Sequence, residues 1–164
     1  MQGSHPTATP FVRPMVEADL PAVHSLNAAL QEFERHLRPS RVPGAQMTEA
    51  YVAKLRAEVA DANGEVVVAE VGAEVAGFAS WYWEHDPLER DPNGIVIGDL
   101  FVVESWRARG VGRAIVAYIR QISIEQGAGW LTVATLSAND QAMSFYRACG
   151  FEILMHTLHD PGLT

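Results

Sequence analysis

The sequence predicts an α/β fold of the α+β kind, a central sheet flanked by helices in a single domain. Strand-like and helix-like runs follow one another in the order strand, helix, helix, three strands, helix, strand, helix, strand. An apolar strand, Leu100 to Val103, passes through a turn with two glycines, Gly110 and Gly112, into an amphipathic helix. The 164 residues are 48% apolar and hold one cysteine, which suits one domain that buries its own core without disulfides.

Each element has a local reason. Phe11-Val-Arg-Pro is a short first strand, after residues 1–10, which are expected to be a disordered tail. Asp19 opens a helix whose apolar stripe runs Leu20, Val23, Leu26 or Asn27, Leu30, Phe33 and Leu37, and Arg38-Pro39 ends it. Residues 39–47 form a loop, Thr48 is expected to cap a second helix carrying Val52, Leu55 and Val59, and Asn63-Gly64 stops that helix. Glu65 to Val71 and Val75 to Trp83 are strands joined by a tight turn at Gly72-Ala73. The acidic, proline-containing segment from Glu84 to Asn93 is expected to form a substrate lip before a central strand, Gly94 to Val103. The main helix places Val111, Ile115, Ile119 and Ile122 on one face and stops at Gly127. A strand from Trp130 to Leu136, a short helix and a last strand from Phe151 to about Leu158 complete the order.

A strand that enters a glycine-rich turn at a helix N-terminus presents main-chain N–H groups at the positive end of the helix dipole, a combination that binds phosphate. A dinucleotide fingerprint would need a small residue where the chain has Ile115, and a P-loop would need Gly-Lys-Ser/Thr. What stands here is Arg107-x-x-Gly110-x-Gly112, with Arg109 and Arg113 to complement phosphate charge. About thirty residues on, Asn139-Asp-Gln-Ala-Met-Ser-Phe-Tyr146 forms a short helix, with Ser137 and Asp140 as a capping box and Gly150 as its stop.

Together the two motifs resemble the GCN5-related N-acetyltransferase superfamily, in the right order and over nearly the whole chain. The resemblance implies a single N-acetyltransferase domain over residues 11–160. Its sheet would be mixed, mostly antiparallel and splayed between the fourth and fifth strands. It implies acetyl-CoA as cosubstrate, its pyrophosphate held by Arg107, Arg109, Gly110, Val111, Gly112, Arg113 and Ala114. The pantetheine arm would pair with the strand edge at Phe101, Val102 and Val103. Asn139 would contact the cofactor and Tyr146 would lie beside its sulfur. The segments Gly77-Phe-Ala-x-x-Tyr82, Asp86-Pro87 and Asp99-Leu-Phe-Val102 are further similar to the diamine and polyamine acetyltransferase branch, although that branch commonly has an acidic residue where this chain has Gly98.

Acetyl transfer to an amine needs a base for the ammonium, a donor for the oxyanion and a proton for the departing thiolate. Tyr146 is the candidate proton donor. For the base, Asp99 inside an apolar run competes with Glu84 and His85 at the lip and with Glu32 or Glu34 on the first helix. Trp81, Tyr82 and Trp83 alternate across the third strand, so one or two of them, with Trp81 and Trp83 named first, could line a pocket for a cationic amine together with Glu32 and His85. The substrate classes left open are a small primary amine such as a polyamine, a protein lysine, N-terminus or amino acid, or none, in a non-catalytic acyl-CoA-binding module.

Twelve basic against twenty acidic residues give a net charge of −8, which disfavours nucleic acid and favours cationic substrates. No apolar stretch spans a bilayer, no secretory leader is visible and the histidines lack metal-ligand spacing. The expectations are a cytoplasmic enzyme with no membrane, metal or nucleic-acid partner, and a fold whose open edge would permit a homodimer.

Overall fold

The structure, a computed structural model, describes residues 9–163 and forms two compact units, one running to Ala134 and the other beginning at Thr135. Of the expected N-terminal tail, residues 1–8 lie outside the described residues. In the larger unit β1 (Phe11–Pro14), β2 (Glu65–Val71), β3 (Glu74–His85), β4 (Asn93–Val102) and β5 (Leu131–Val133) form one sheet in chain order. The first three junctions are antiparallel and the last is parallel, as expected for a mixed sheet. The β4–β5 register ends at Ile97↔Val133, where β5 itself ends, and residues 100–102 pair with β3 alone.

Helices α1 (Leu20–Leu37) and α2 (Gly44–Asp61) pack against β2, β3 and β4, and α3 (Val111–Glu125) packs on β1 to β4. Alternation along the strands divides the core. Val66, Val68, Phe78 and Phe101 meet Val23, Leu26, Leu30 and Val52 of α1 and α2. Val67 and Ala79 point the other way, where α3 buries Val111, Ile115, Val116 and Ile119. Each fully buried side chain of the size of Phe78 contributes about 1.5–3 kcal/mol relative to exposure. Arg13 in β1 donates to both carboxylate oxygens of Asp19, at 2.7 and 2.9 Å, and to Glu70, tying the first strand to the start of α1.

Three local expectations are corrected. Thr48 is not a cap, because α2 begins a turn earlier at Gly44, whose backbone approaches α1 so closely that a Cβ would lie 2.4 Å from the Ala28 carbonyl oxygen. The strand expected from Trp130 to Leu136 is only Leu131–Val133. The strand expected from Phe151 to Leu158 does not form. Ile153, Leu154, Met155 and Leu158 are exposed there, so the apolar run has no face to bury.

In the smaller unit α4 (Asp140–Ala148) is capped by Asn139, whose Oδ1 accepts from the Ala142 N–H at 3.0 Å, rather than by Ser137. Gly150 follows it at φ +89°, the left-handed conformation expected at a helix stop. Among the described residues no helix is long and apolar enough to cross a membrane.

Candidate functional site

Two parts of the larger unit carry chemistry. The first is the turn between β4 and α3. After a single 3-10 turn (Glu104–Trp106), Ala108 and Gly110 both take left-handed backbone, at φ +58° and +87°. For alanine that conformation costs about 1–2 kcal/mol, and such strain persists where the surroundings require it. Gly110 is the N-cap residue of α3 and offers no side-chain cap, so the first-turn amides open into the concavity that left-handed residues create. Arg109 stacks on Trp106 with its guanidinium 5.1 Å from the ring centroid, and Arg113 is exposed on the first turn. Arg107 turns back instead. Its Nε donates to the Val102 carbonyl at 3.0 Å, and its guanidinium lies over Phe101 and Phe33 at 5.2 and 5.8 Å.

The second part is a cleft of about 390 Å³ lined by Tyr51, Leu55, Glu58, Val59, Ala62, Tyr82, Gly98 and Asp99. A β-bulge creates it. Ala79 pairs with Leu100 but Trp81 pairs with Ile97, so Gly98 and Asp99 together oppose Ser80. Gly98 suits this position because a Cβ would sit 2.4 Å from the Ser80 hydroxyl oxygen, and Ser80 Oγ accepts from the Asp99 N–H at 3.0 Å. The bulge aims the Asp99 carboxylate at α1 and α2. Tyr51 donates its hydroxyl to Asp99 Oδ1 at 3.2 Å, and Asn27 Nδ2 stands 3.5 Å from Oδ2.

Burial pushes the Asp99 carboxyl up to about 6, against the lowering effect of the Tyr51 hydrogen bond. Glu34 adds to the rise and Arg41, which donates to Glu34 and Gln31, opposes it. Burial also raises the hydroxyls of Tyr51 and Tyr82, and the nearby carboxylate of Asp99 reinforces both. A carboxylate poised near neutrality between two protonated phenols can accept a proton and can hold a cation.

Of the sequence candidates for the acceptor side, Asp99 and Tyr82 line this cleft. Trp81 is 2% exposed and faces the α3 side of the sheet, as strand alternation requires. Trp83 shares that parity and lines a separate shallow groove with Asn63, Asn93, Gln126 and Gly127, donating to Gln126 Oε1 at 3.2 Å. Tyr82, between them, is the aromatic residue that reaches the cleft. Glu84 is exposed near the end of β3, and His85 Nδ1 contacts Asn93 Oδ1 at 2.8 Å. Glu32 is held by Arg35 on its own helix, which lowers its carboxyl. The acidic segment after β3 folds back on the chain: Trp130 Nε1 donates to the Asp91 carbonyl and the Gly129 N–H to that of Asn93.

On the donor side Phe101 and Val111 bury their side chains, so only their main chain is free to meet a ligand, while Val102, Val103, Gly112 and Ala114 are half-buried. In the smaller unit Tyr146 is 9% exposed, its ring between those of Phe145 and Phe151 at 5.0 and 5.6 Å, and Asn139 spends its side-chain oxygen on the helix cap. Among the described residues no group of three His, Cys, Asp or Glu could hold a metal ion.

Sequence reasoning missed Tyr51, Glu58 and Asn27 as site residues. Tyr51, Leu55, Glu58 and Ala62 recur at helical spacing and so share a stripe of α2, a signal present in the sequence. Asn27 stood on the apolar stripe of α1, where a polar residue is itself a flag.

The profile of the Acetyltransferase (GNAT) family matches residues 28–151. An aminoglycoside N(6')-acetyltransferase type 1 from Stenotrophomonas maltophilia is 34% identical over 103 residues, 60% of this chain and 67% of the relative. A thialysine N-epsilon-acetyltransferase from Bos taurus is 28% identical over 100 residues, 61% of this chain and 55% of the relative. A crystal structure of an aminoglycoside N-acetyltransferase in complex with CoA superposes with TM-score 0.68 at 19% identity, covering 93% of each chain. That last likeness is one of fold.

Proposed function

Because the chain belongs to the acetyltransferase (GNAT) family and is an N-acetyltransferase, we propose that it moves an acetyl group from acetyl-CoA to the primary amine of a small aliphatic cation, with Asp99 as the proton acceptor. The observation that carries this reading is the half-buried Asp99 carboxylate, raised to about 6, in a cleft whose other walls are two tyrosines, Glu58 and the aliphatic side chains of Leu55, Val59 and Ala62. Such walls fit an ammonium with an alkyl arm. The aminoglycoside and thialysine substrates of the two relatives are amines too.

The uncapped start of α3 fits a pyrophosphate. Left-handed Ala108 and Gly110 curl main-chain N–H groups toward it, and Arg109 and Arg113 supply charge. Arg107 serves differently, by fixing the Val102 carbonyl and so the end of β4. Residues 98–102, beyond the β4–β5 register, would offer their main chain to an extended ligand arm, and an N–H near Val102 would stabilise the oxyanion. When bound, acetyl-CoA supplies an activated thioester carbonyl and a thiolate leaving group.

Asp99 takes a proton from the ammonium, which frees the nitrogen lone pair for attack. Three residue steps lead from Asp99 to Val102, roughly 10 Å of strand, a gap that one or two ordered waters would bridge. Tyr146 is the proposed donor to the thiolate, so Tyr146→Phe lowers turnover more than acetyl-CoA affinity. The substrate class is tested by thiol release with a panel of alkyl diamines, polyamines, aminoglycosides, amino acids and lysine peptides. Highest kcat/KM on the small alkyl amines supports the reading, and a preference for peptides, or tight acetyl-CoA binding with no turnover, overturns it.

A further inference from the structure

We propose that Asn27 and Thr48 form an invertible hydrogen-bond pair that holds Asp99 in both of its protonation states, which makes them positioning residues for the proton-accepting step. The proposal rests on Asp99 being the base. Asn27 is 0% exposed, and a buried amide without partners is costly, so its two ends need explaining. Its Oδ1 lies 2.9 Å from Thr48 Oγ1, and its Nδ2 lies 3.5 Å from Asp99 Oδ2. Thr48 Oγ1 also lies 3.1 Å from the His24 carbonyl oxygen. A hydroxyl carries one proton, so Thr48 can donate to only one of these two acceptors at a time.

Two complete arrangements follow from that single proton. With Asp99 ionised, Thr48 donates to Asn27 Oδ1, and Asn27 turns its NH2 toward the carboxylate. The His24 carbonyl, interior to α1, keeps its helical partner. With Asp99 protonated, the amide is reversed: Asp99 donates to Asn27 Oδ1, Asn27 Nδ2 donates to Thr48 Oγ1, and Thr48 donates to the His24 carbonyl. The two ends of an amide have nearly the same shape, so reversal needs no repacking. The proton that leaves the ammonium ends on Asp99, none passes along the pair, and only the amide and hydroxyl reorient.

The charged and titratable groups that face Asp99 are Glu34 from α1, Arg41 from the α1–α2 connection, Tyr51 and Glu58 from α2, and Tyr82 from β3. Burial and the carboxylate keep the Tyr51 hydroxyl protonated, and it donates to the ionised Asp99 at 3.2 Å. Asn27 is the amide neighbour, with a donor at one end and an acceptor at the other to offer Asp99.

The test is a pH titration of the isotopically labelled full chain by NMR, with kcat/KM profiles on the best amine. The Asn27 side-chain NH2 should titrate with the same midpoint as the Asp99 carboxyl carbon, and its contact with the Thr48 methyl should strengthen on the acid side. Asn27→Leu should raise the Asp99 midpoint and the acid limb of kcat/KM together by about one unit, since a hydrogen bond to a charged group outweighs one to a neutral group. Thr48→Ser, which keeps the hydroxyl, should leave both in place. An Asn27 amide that stays unmoved through the Asp99 titration in the unmodified chain, or an unchanged midpoint in folded Asn27→Leu, overturns the proposal. Full kcat/KM in Asp99→Asn would instead remove the base reading and leave the coupled titration standing.

Discussion

The turn at Gly110 and the cleft at Asp99 lie on the same strand-to-helix segment and are built on opposite principles. The turn works through main chain: its left-handed residues and open helix start would serve with many side chains, provided the backbone keeps its shape. The cleft works through side chains, with Asn27, Tyr51, Tyr82 and Asp99 drawn from four elements and little main chain on offer. The difference teaches where each part is vulnerable. Backbone conformation limits the first, and the state of one carboxylate limits the second.

The sharpest way to separate them is Asp99→Asn, which should lower kcat/KM on the best amine by about 10²–10⁴-fold, the usual contribution of a general base. Acetyl-CoA affinity, followed by calorimetry, should stay unchanged, and a parallel loss of affinity would break the division. The same variant should be more stable. A carboxyl whose folded pKa is raised contributes stability below its unfolded value and loses it as pH rises through about 6. Asp99→Asn should therefore gain up to about 3 kcal/mol over the parent chain above pH 6, in denaturant melts, and the gain should vanish near pH 4.

Next in size is Gly110→Val. A Cβ there meets nothing within 4 Å, so the only obstacle is the left-handed backbone. A penalty of about 1–2 kcal/mol should weaken acetyl-CoA binding roughly 5- to 30-fold while leaving the Asp99 titration unaltered. Unchanged affinity would sink the placement of the pyrophosphate. The smallest expected effect is that of Tyr51→Phe. Removing its hydrogen bond to the Asp99 anion should move the acid limb of kcat/KM upward by about one unit, read from pH profiles. A limb that stays near pH 6 would mean that Tyr51 merely fills the wall.

The two regions were also unequally legible. The turn was visible because its residues are contiguous and glycine marks where the backbone must turn left-handed. Asp99 was visible as a carboxylate in an apolar strand, but nothing in the pattern separated it from Glu32, Glu84 and His85, which the structure places outside the cleft or beside other partners. The bulge at Gly98 and Asp99 left no mark in an alternation pattern, because a one-residue insertion is defined by the partner strand. Alternation set Tyr82 apart from Trp81 and Trp83, but which face held the cleft was not in the pattern. Thr48 was read as a cap because capping is the local role of threonine, and its bond to Asn27 spans 21 residues. The final strand failed for a similar reason, since a strand exists only against a partner.

By itself the sequence determined the element order as far as α4, the glycine turn and the family likeness, all of which depend on neighbours within a few residues along the chain. Tertiary structure alone decided which carboxylate is buried, which tyrosines frame it and which amide backs it. A pKa, a cleft and a hydrogen-bond partner are properties of separations in space, and these arise only once α1 and α2 close over the bulged strand.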